Sequence, residues 1–97
     1  MDAPIACTLS PADAAERADH LRALAARTLR SRTRIPAGDR LVFAPGADTE
    51  RALRAAVAAE AACCAFLAFE LRREEDALVL DITGPEAARP VIDALFA

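Results

Sequence analysis

Residues 66–83 read FLAFELRREEDALVLDIT, and the pattern of this stretch decides the fold. On both sides of the charged segment REED, apolar residues alternate with small or charged ones, at Leu67, Phe69 and Leu71 and again at Leu78, Leu80 and Ile82. Alternation with a period of two is typical of half-buried β-strands. The sequence therefore predicts two antiparallel strands that pair as a hairpin.

Helices are predicted before this hairpin. With Ser10 as N-cap, apolar residues at three-and-four spacing predict a helix that runs to about Arg30. A second helix is predicted from a cap at Asp48 or Thr49 to about Cys64. Both helices would bury one apolar stripe and leave charged side chains in solvent.

The remaining elements are shorter. Ile5–Leu9 and residues 40–44 are β-like runs, and the segment SRTRIPAGD, residues 31–39, is predicted as a loop. A last helix begins after Gly84, and Pro90 is tolerated there only within the first turn, where backbone N–H groups have no helical partner.

The predicted order of elements is β-α-β-α-β-β-α, in one domain of 97 residues. Residues 40–97 have the order of a ferredoxin-like split unit without its last strand, and Ile5–Leu9 could fill that edge of the sheet. We therefore expect an α+β fold that is ferredoxin-like in part. It would be a two-layer sandwich with about four mostly antiparallel strands and helices packed on the sheet.

Composition and charge narrow the classes of function. The formal net charge of −3 argues against a nucleic-acid binder, which needs a net basic face. The start MDAPIACTLSP lacks the basic and apolar regions of a secretory signal, and no stretch approaches the length of a membrane span. We expect a cytoplasmic protein without a membrane partner, whose three cysteines persist as thiols.

A carboxylate and two cysteines end the second predicted helix. On a helical wheel, Glu60 and Cys64 fall inside the apolar stripe that contains Leu53, and Cys63 lies on its flank, where partial exposure is expected. A carboxylate that faces a core is costly unless a cation or a hydrogen-bond donor meets it. A bound metal ion would satisfy Glu60, and so would an arginine from the first helix or a tilt toward water.

A third cysteine makes a shared ion conceivable. Cys7 ends the first β-like run and precedes a helix N-terminus, which favours a thiolate. Three converging thiolates would suit a soft ion such as Hg(II), As(III) or zinc, although the absence of a fourth cysteine argues against a closed tetrahedral zinc site. The sequence predicts Cys7, Cys63 and Cys64 as ligands, with Glu60 as an outer carboxylate.

The pattern E-x-x-C-C-x-F-x-x-F, here at residues 60–69, resembles small bacterial domains found alone or fused behind the DNA-binding region of MerR-type heavy-metal-responsive regulators. The segments CTL at residues 7–9 and LVLDITGPEAA at residues 78–88 extend the resemblance over most of the chain. It implies a metal-associated accessory or sensor domain with a role in heavy-metal resistance, acting alone, as a homodimer or with a partner regulator. Ala65 stands where proline commonly follows the cysteines in that pattern.

Two other hypotheses compete with metal binding. The domain could be an interaction or dimerisation module whose cysteines only pack, because free cysteine behaves as a small hydrophobe. It could also be a thiol-dependent enzyme acting on an organometal or another electrophile, with a cysteine nucleophile and Glu60 as base. No residues for an oxyanion hole can be named, so we expect a binding domain rather than an enzyme.

Overall fold

A computed structural model of the chain describes residues 11–97. The predicted strand Ile5–Leu9, the Ser10 cap and Cys7 lie outside these residues. The regular elements follow in chain order as α1 (Pro11–Thr28), β1 (Leu29–Ile35), β2 (Gly38–Phe43), α2 (Ala47–Cys63), β3 (Ala68–Arg73), β4 (Leu78–Thr83), a 3₁₀ turn (Glu86–Ala88) and α3 (Arg89–Ala94).

The four strands form one antiparallel sheet in the order β1-β2-β4-β3. The predicted hairpin is confirmed, because Leu71 of β3 lies opposite Leu80 of β4. Leu41 of β2 lies opposite the same Leu80 on its other side. The side chains at alternate positions of β2 and β4 are buried and form the core with the apolar stripes of the helices. The fold is therefore a two-layer α+β sandwich, as the sequence predicts.

The β2-α2-β3-β4 segment is a split β-α-β unit. β2 and β3 are both antiparallel to β4, which lies between them. β1 fills the edge of the sheet next to β2. The segment Ile5–Leu9, which we expected at that edge, lies outside the described residues. The elements predicted from residue 11 onward occur in the predicted order, with β1 as an additional strand.

The assignment of residues 31–39 to a loop is wrong for most of that segment. β1 has no apolar alternation because arginines stand opposite buried residues of β2: the half-buried Arg32 lies opposite Leu41, and the exposed Arg34 lies opposite Asp39. A strand of this kind is recognised by its partners and not by its own period.

The helix ends differ from the prediction by a few residues. α1 ends at Thr28, since the chain enters β1 there. Gly46, and neither Asp48 nor Thr49, is the N-cap of α2, with φ of 148°, a value that favours glycine. Pro90 lies in the first turn of α3, as predicted. Within residues 11–97, no helix has the length and apolar character needed to cross a membrane.

Candidate site at the end of helix α2

Glu60 lies on the buried side of α2, as the helical wheel predicts. The α2 residues facing the core include Leu53 and Ala56, and Glu60 follows them one turn later with only 4% of its surface exposed. A helix that packs by one face against a sheet must bury every residue of that face, and Glu60 occupies an apolar position of it. The fold therefore holds a carboxylate inside the core.

The surroundings of Glu60 neutralise its charge only in part. The nearest cation is the Arg17 guanidinium of α1, whose Nη1 lies 3.7 Å from Glu60 Oε1 and donates a 3.1 Å hydrogen bond to the Ala59 carbonyl. Burial raises the pKa of Glu60, and the charge of Arg17 offsets this effect incompletely. Arg17 is the first-helix arginine that the sequence offered as one partner of Glu60.

The two cysteines lie at the C-terminal end of α2, where Cys63 is the last helical residue and Cys64 is the C-cap. Cys63 is 7% exposed, so the expected partial exposure on the flank of the stripe is wrong: the core extends around it. Cys64 is 0% exposed, and its Sγ lies 3.8 Å from Glu60 Oε2. The structure thus brings Glu60 and Cys64 together, as the i,i+4 spacing predicts.

The two cysteines differ in oxidation state. Cys63 is a free cysteine, whereas Cys64 is disulfide-bonded. The expectation that every cysteine is a thiol is therefore wrong for Cys64 in this state of the molecule. Cys7 lies outside the described residues, and its predicted place beside the pair stays a prediction. Among residues 11–97, no three His, Cys, Asp or Glu side chains are grouped so as to hold a metal ion.

A small cavity reaches Glu60 from the surface between α1 and the C-terminal segment. Its volume is about 130 Å³, and Glu60 and Arg17 provide its charged groups. The rest of its wall is hydrocarbon, from Ala14, Ala18, Leu21, Ala94, Leu95 and Phe96. Ala18 is exposed, so the cavity opens to solvent beside α1.

A second buried carboxylate, Asp39 of β2, is not predicted from the sequence. It is 5% exposed and accepts hydrogen bonds from Arg32 Nε, at 2.7 Å, and from Arg89 Nη2. Burial alone would raise the pKa of Asp39, but the hydrogen bonds from Arg89 and Arg32 outweigh it and hold the pKa below its usual value.

One signal could have located this carboxylate. Asp39, Leu41 and Phe43 occupy alternate positions, so the period of the strand places Asp39 on the same buried face as the two apolar residues. Arg32 continues the network, because it also donates 2.6 Å hydrogen bonds to the carbonyls of Ile92 and Leu95. The network thus fastens the end of α3 to the sheet.

Comparisons of the chain with protein-family models, with curated proteins and with solved structures gave no match. The function is therefore inferred from the site itself.

Proposed function

We propose that this protein is a cytoplasmic binding module for a thiophilic metal or metalloid ion. In its reduced state it would bind the ion through thiolates at the end of α2, with the Glu60 carboxylate beside them. The ligands are Cys63 and Cys64, with Cys7 as the third thiolate that the sequence predicts. Hg(II) and As(III) suit such a sulfur-rich site better than Mg²⁺ or Ca²⁺.

The observation that supports this function best is the contact between a buried carboxylate and a cysteine sulfur. Glu60 Oε2 lies 3.8 Å from Cys64 Sγ, and the only cation near the carboxylate is 3.7 Å away on a partly exposed side chain, within the described residues. A buried carboxylate whose charge is only partly offset is unfavourable. A metal ion bound to the adjacent sulfur would supply the missing positive charge.

Access and oxidation state are compatible with binding. The cavity beside α1 leads from solvent to Glu60, so an ion has a route to a site that is otherwise inside the core. The disulfide of Cys64 must first be reduced, and a low-molecular-weight thiol of the cytoplasm supplies the two electrons. A disulfide also means that Cys64 has a second sulfur beside it, and two such sulfurs can share an ion after reduction.

The resemblance to domains joined to MerR-type regulators agrees with this proposal. Such a domain would pass a metal signal to a regulator, store the ion or keep it from other thiols. The net charge of −3 does not favour direct contact with nucleic acid.

The direct test is a titration of the reduced protein with HgCl₂ and with arsenite, followed by the near-ultraviolet absorption of metal–thiolate bonds. We expect stoichiometric uptake that the variant with all three cysteines changed to serine lacks. Glu60→Gln should weaken uptake, and Glu75→Gln, which changes an exposed glutamate, is its matched control. Equal uptake by the wild type and the triple variant would contradict the proposal.

A second candidate follows from the burial of both cysteines. Cys63 and Cys64 belong to the main hydrophobic core, which is what cysteines that only pack would show. The protein would then be an interaction or dimerisation module. In that case the triple variant loses stability, and neither the wild type nor the variant takes up the ion.

A further inference from the structure

A second cavity, which we call the turn cavity, lies at the end of the sheet where β1 turns into β2. It is bounded by this turn, by the connection from β4 to the 3₁₀ turn and by the first turns of α3, and its volume is about 430 Å³. Sites for small molecules usually measure roughly 300–1,000 Å³, so the turn cavity has the size of a ligand site. It shares no lining residue with the cavity beside Glu60.

The wall of the turn cavity combines hydrocarbon with charged side chains. The hydrocarbon comes from Ile35, Pro85 and Ile92. Arg34 of β1 lies opposite Asp39, so the strand pairing directs its side chain to the face of the sheet on which α3 packs. A cation therefore stands beside an apolar surface.

The charged groups of the turn cavity differ in whether they are already paired. Arg89 is neutralised inside the protein, because it donates hydrogen bonds to both Asp39 and Asp93. The side chains of Arg34 and Glu86 are exposed, and neither makes an ion pair or a hydrogen bond in the described part of the chain. The turn cavity thus presents one available guanidinium and one available carboxylate.

We propose that the turn cavity binds a free α-amino acid with an apolar side chain. Arg34 binds the carboxylate of the ligand, for which a guanidinium has the matching two-pronged geometry. Glu86 binds the ammonium group, and the apolar side chain of the ligand packs against Pro85 and Ile92. The inference does not rest on the proposed function, because none of these residues belongs to the site at the end of α2.

The two opposite charges favour a zwitterion over a singly charged ligand. A simple carboxylate would pair with Arg34 and leave Glu86 beside the apolar part of the ligand, with its hydration reduced and no partner. A simple amine would leave Arg34 in the same condition. An α-amino acid carries both charges on one carbon atom and satisfies both side chains, which are exposed and can change rotamer to reach it.

The test is isothermal titration calorimetry of the full chain with L-leucine and three comparison ligands. Isocaproate lacks the ammonium group of leucine, isopentylamine lacks its carboxylate, and glycine keeps both charges without the apolar side chain. We expect leucine to bind about tenfold or more tightly than each of the three, because each comparison ligand loses one of the contacts with the cavity.

Two variants assign the charges. Arg34→Gln should weaken the binding of leucine and of isocaproate by about tenfold, whereas Glu86→Gln should weaken leucine by about tenfold and leave isocaproate unchanged. The matched controls are Arg27→Gln and Glu75→Gln, which change exposed residues that do not line the turn cavity. All four positions are on the surface, so the variants should fold.

Each contrary result overturns the inference. Isocaproate that binds as tightly as leucine would make this a site for simple carboxylates, and glycine that binds as tightly would show that the apolar wall is not used. A lack of leucine binding, or binding that Arg34→Gln and Glu86→Gln leave at the level of their controls, would mean that the turn cavity holds no amino acid. No metal is present in these titrations, so their failure is distinct from a failure of the proposed function.

Discussion

Two carboxylates are buried within residues 11–97, and their surroundings shift their pKa values in opposite directions. Asp39 is held by two arginines that donate directly to its oxygens, and its pKa is lowered. Glu60 has one arginine at 3.7 Å, and its pKa is raised. Both side chains have similar exposure, so the difference in pKa comes from their arginine partners and not from the depth of burial.

The contrast distinguishes a carboxylate whose charge the fold compensates from one whose charge is left partly uncompensated. Asp39 is compensated by groups that also fasten β1 and α3 to the sheet, and it has no need of a ligand. Glu60 is only partly compensated, next to a cysteine and a cavity. The proposed cation site would leave its carboxylate in this second condition while it is empty.

The largest effect should come from removing the charge of the structural carboxylate. Asp39→Asn removes the buried anion that Arg32 and Arg89 share, although Arg89 keeps its ion pair with Asp93, and we expect the free energy of unfolding at pH 7 to fall by about 3 kcal/mol. Urea denaturation measures it. Asp19→Asn is the matched control, since Asp19 also pairs with an arginine, Arg22, but on the surface, and its loss should be below about 0.5 kcal/mol. Equal losses of stability in the two variants would contradict the structural role of Asp39.

The same substitution at the other carboxylate should have the opposite sign. Glu60→Gln removes a charge that burial disfavours, and we expect the variant to be as stable as the wild type at pH 7 or more stable, by about 1 kcal/mol. Urea denaturation of the metal-free protein is again the measurement. A loss comparable to that of Asp39→Asn would mean that Glu60 is also a structural anion.

The pH dependence should differ between the two sites. Because the pKa of Glu60 is raised in the folded state, the folded protein binds the proton more tightly than the unfolded chain does. The cost of the charged form therefore disappears as the pH falls through the folded pKa toward the unfolded value near 4.5, and the advantage of Glu60→Gln shrinks.

For Asp39 the sign is reversed. Its lowered pKa stabilises the fold above the ordinary value of 3.8, and this contribution is lost as the pH falls through the folded pKa. Unfolding measured from pH 7 to pH 4 should show the Glu60→Gln difference closing while the Asp39→Asn difference persists. A Glu60→Gln advantage that grows on acidification is the contrary result.

The smallest effect concerns Arg17, the arginine partner of Glu60. Arg17→Gln should lower the stability by only about 0.5 kcal/mol, because Arg17 is 28% exposed and 3.7 Å from the carboxylate. Arg89→Gln removes a direct donor to Asp39 and should cost about 2 kcal/mol. Thermal or urea unfolding distinguishes the two. A larger loss for Arg17→Gln would show that Glu60 is better compensated than its geometry indicates.

The sequence was sufficient where the period of a segment reflects its burial. The strands β3 and β4 alternate because one face of each packs on the core, and Glu60 was placed correctly because the stripe of α2 passes through it. β1 was missed because the side chains of Arg32 and Arg34 occupy the positions where a period would show apolar residues.

The candidate site was predictable only within one helix. The contact of Glu60 with Cys64 follows from helical spacing, and Arg17 was one of several partners that the sequence allowed. The burial of Cys63 and the cavity could not be predicted, since both depend on how α1 and the C-terminal segment pack against α2. The pairing of Asp39 with Arg89 joins residues 50 positions apart, a distance that no local pattern spans.

We propose that Glu60 is an undercompensated carboxylate whose charge a cation at the adjacent cysteine neutralises. The most direct test of this proposal is a carboxyl ¹³C NMR titration of the reduced protein, with and without one equivalent of HgCl₂. We expect Glu60 to titrate above the ordinary value of 4.5 in the metal-free protein and at lower pH once Hg(II) is bound, while the titration of Asp39 does not move. A Glu60 titration that is unchanged by Hg(II), or that lies below 4.5 in the metal-free protein, would contradict it.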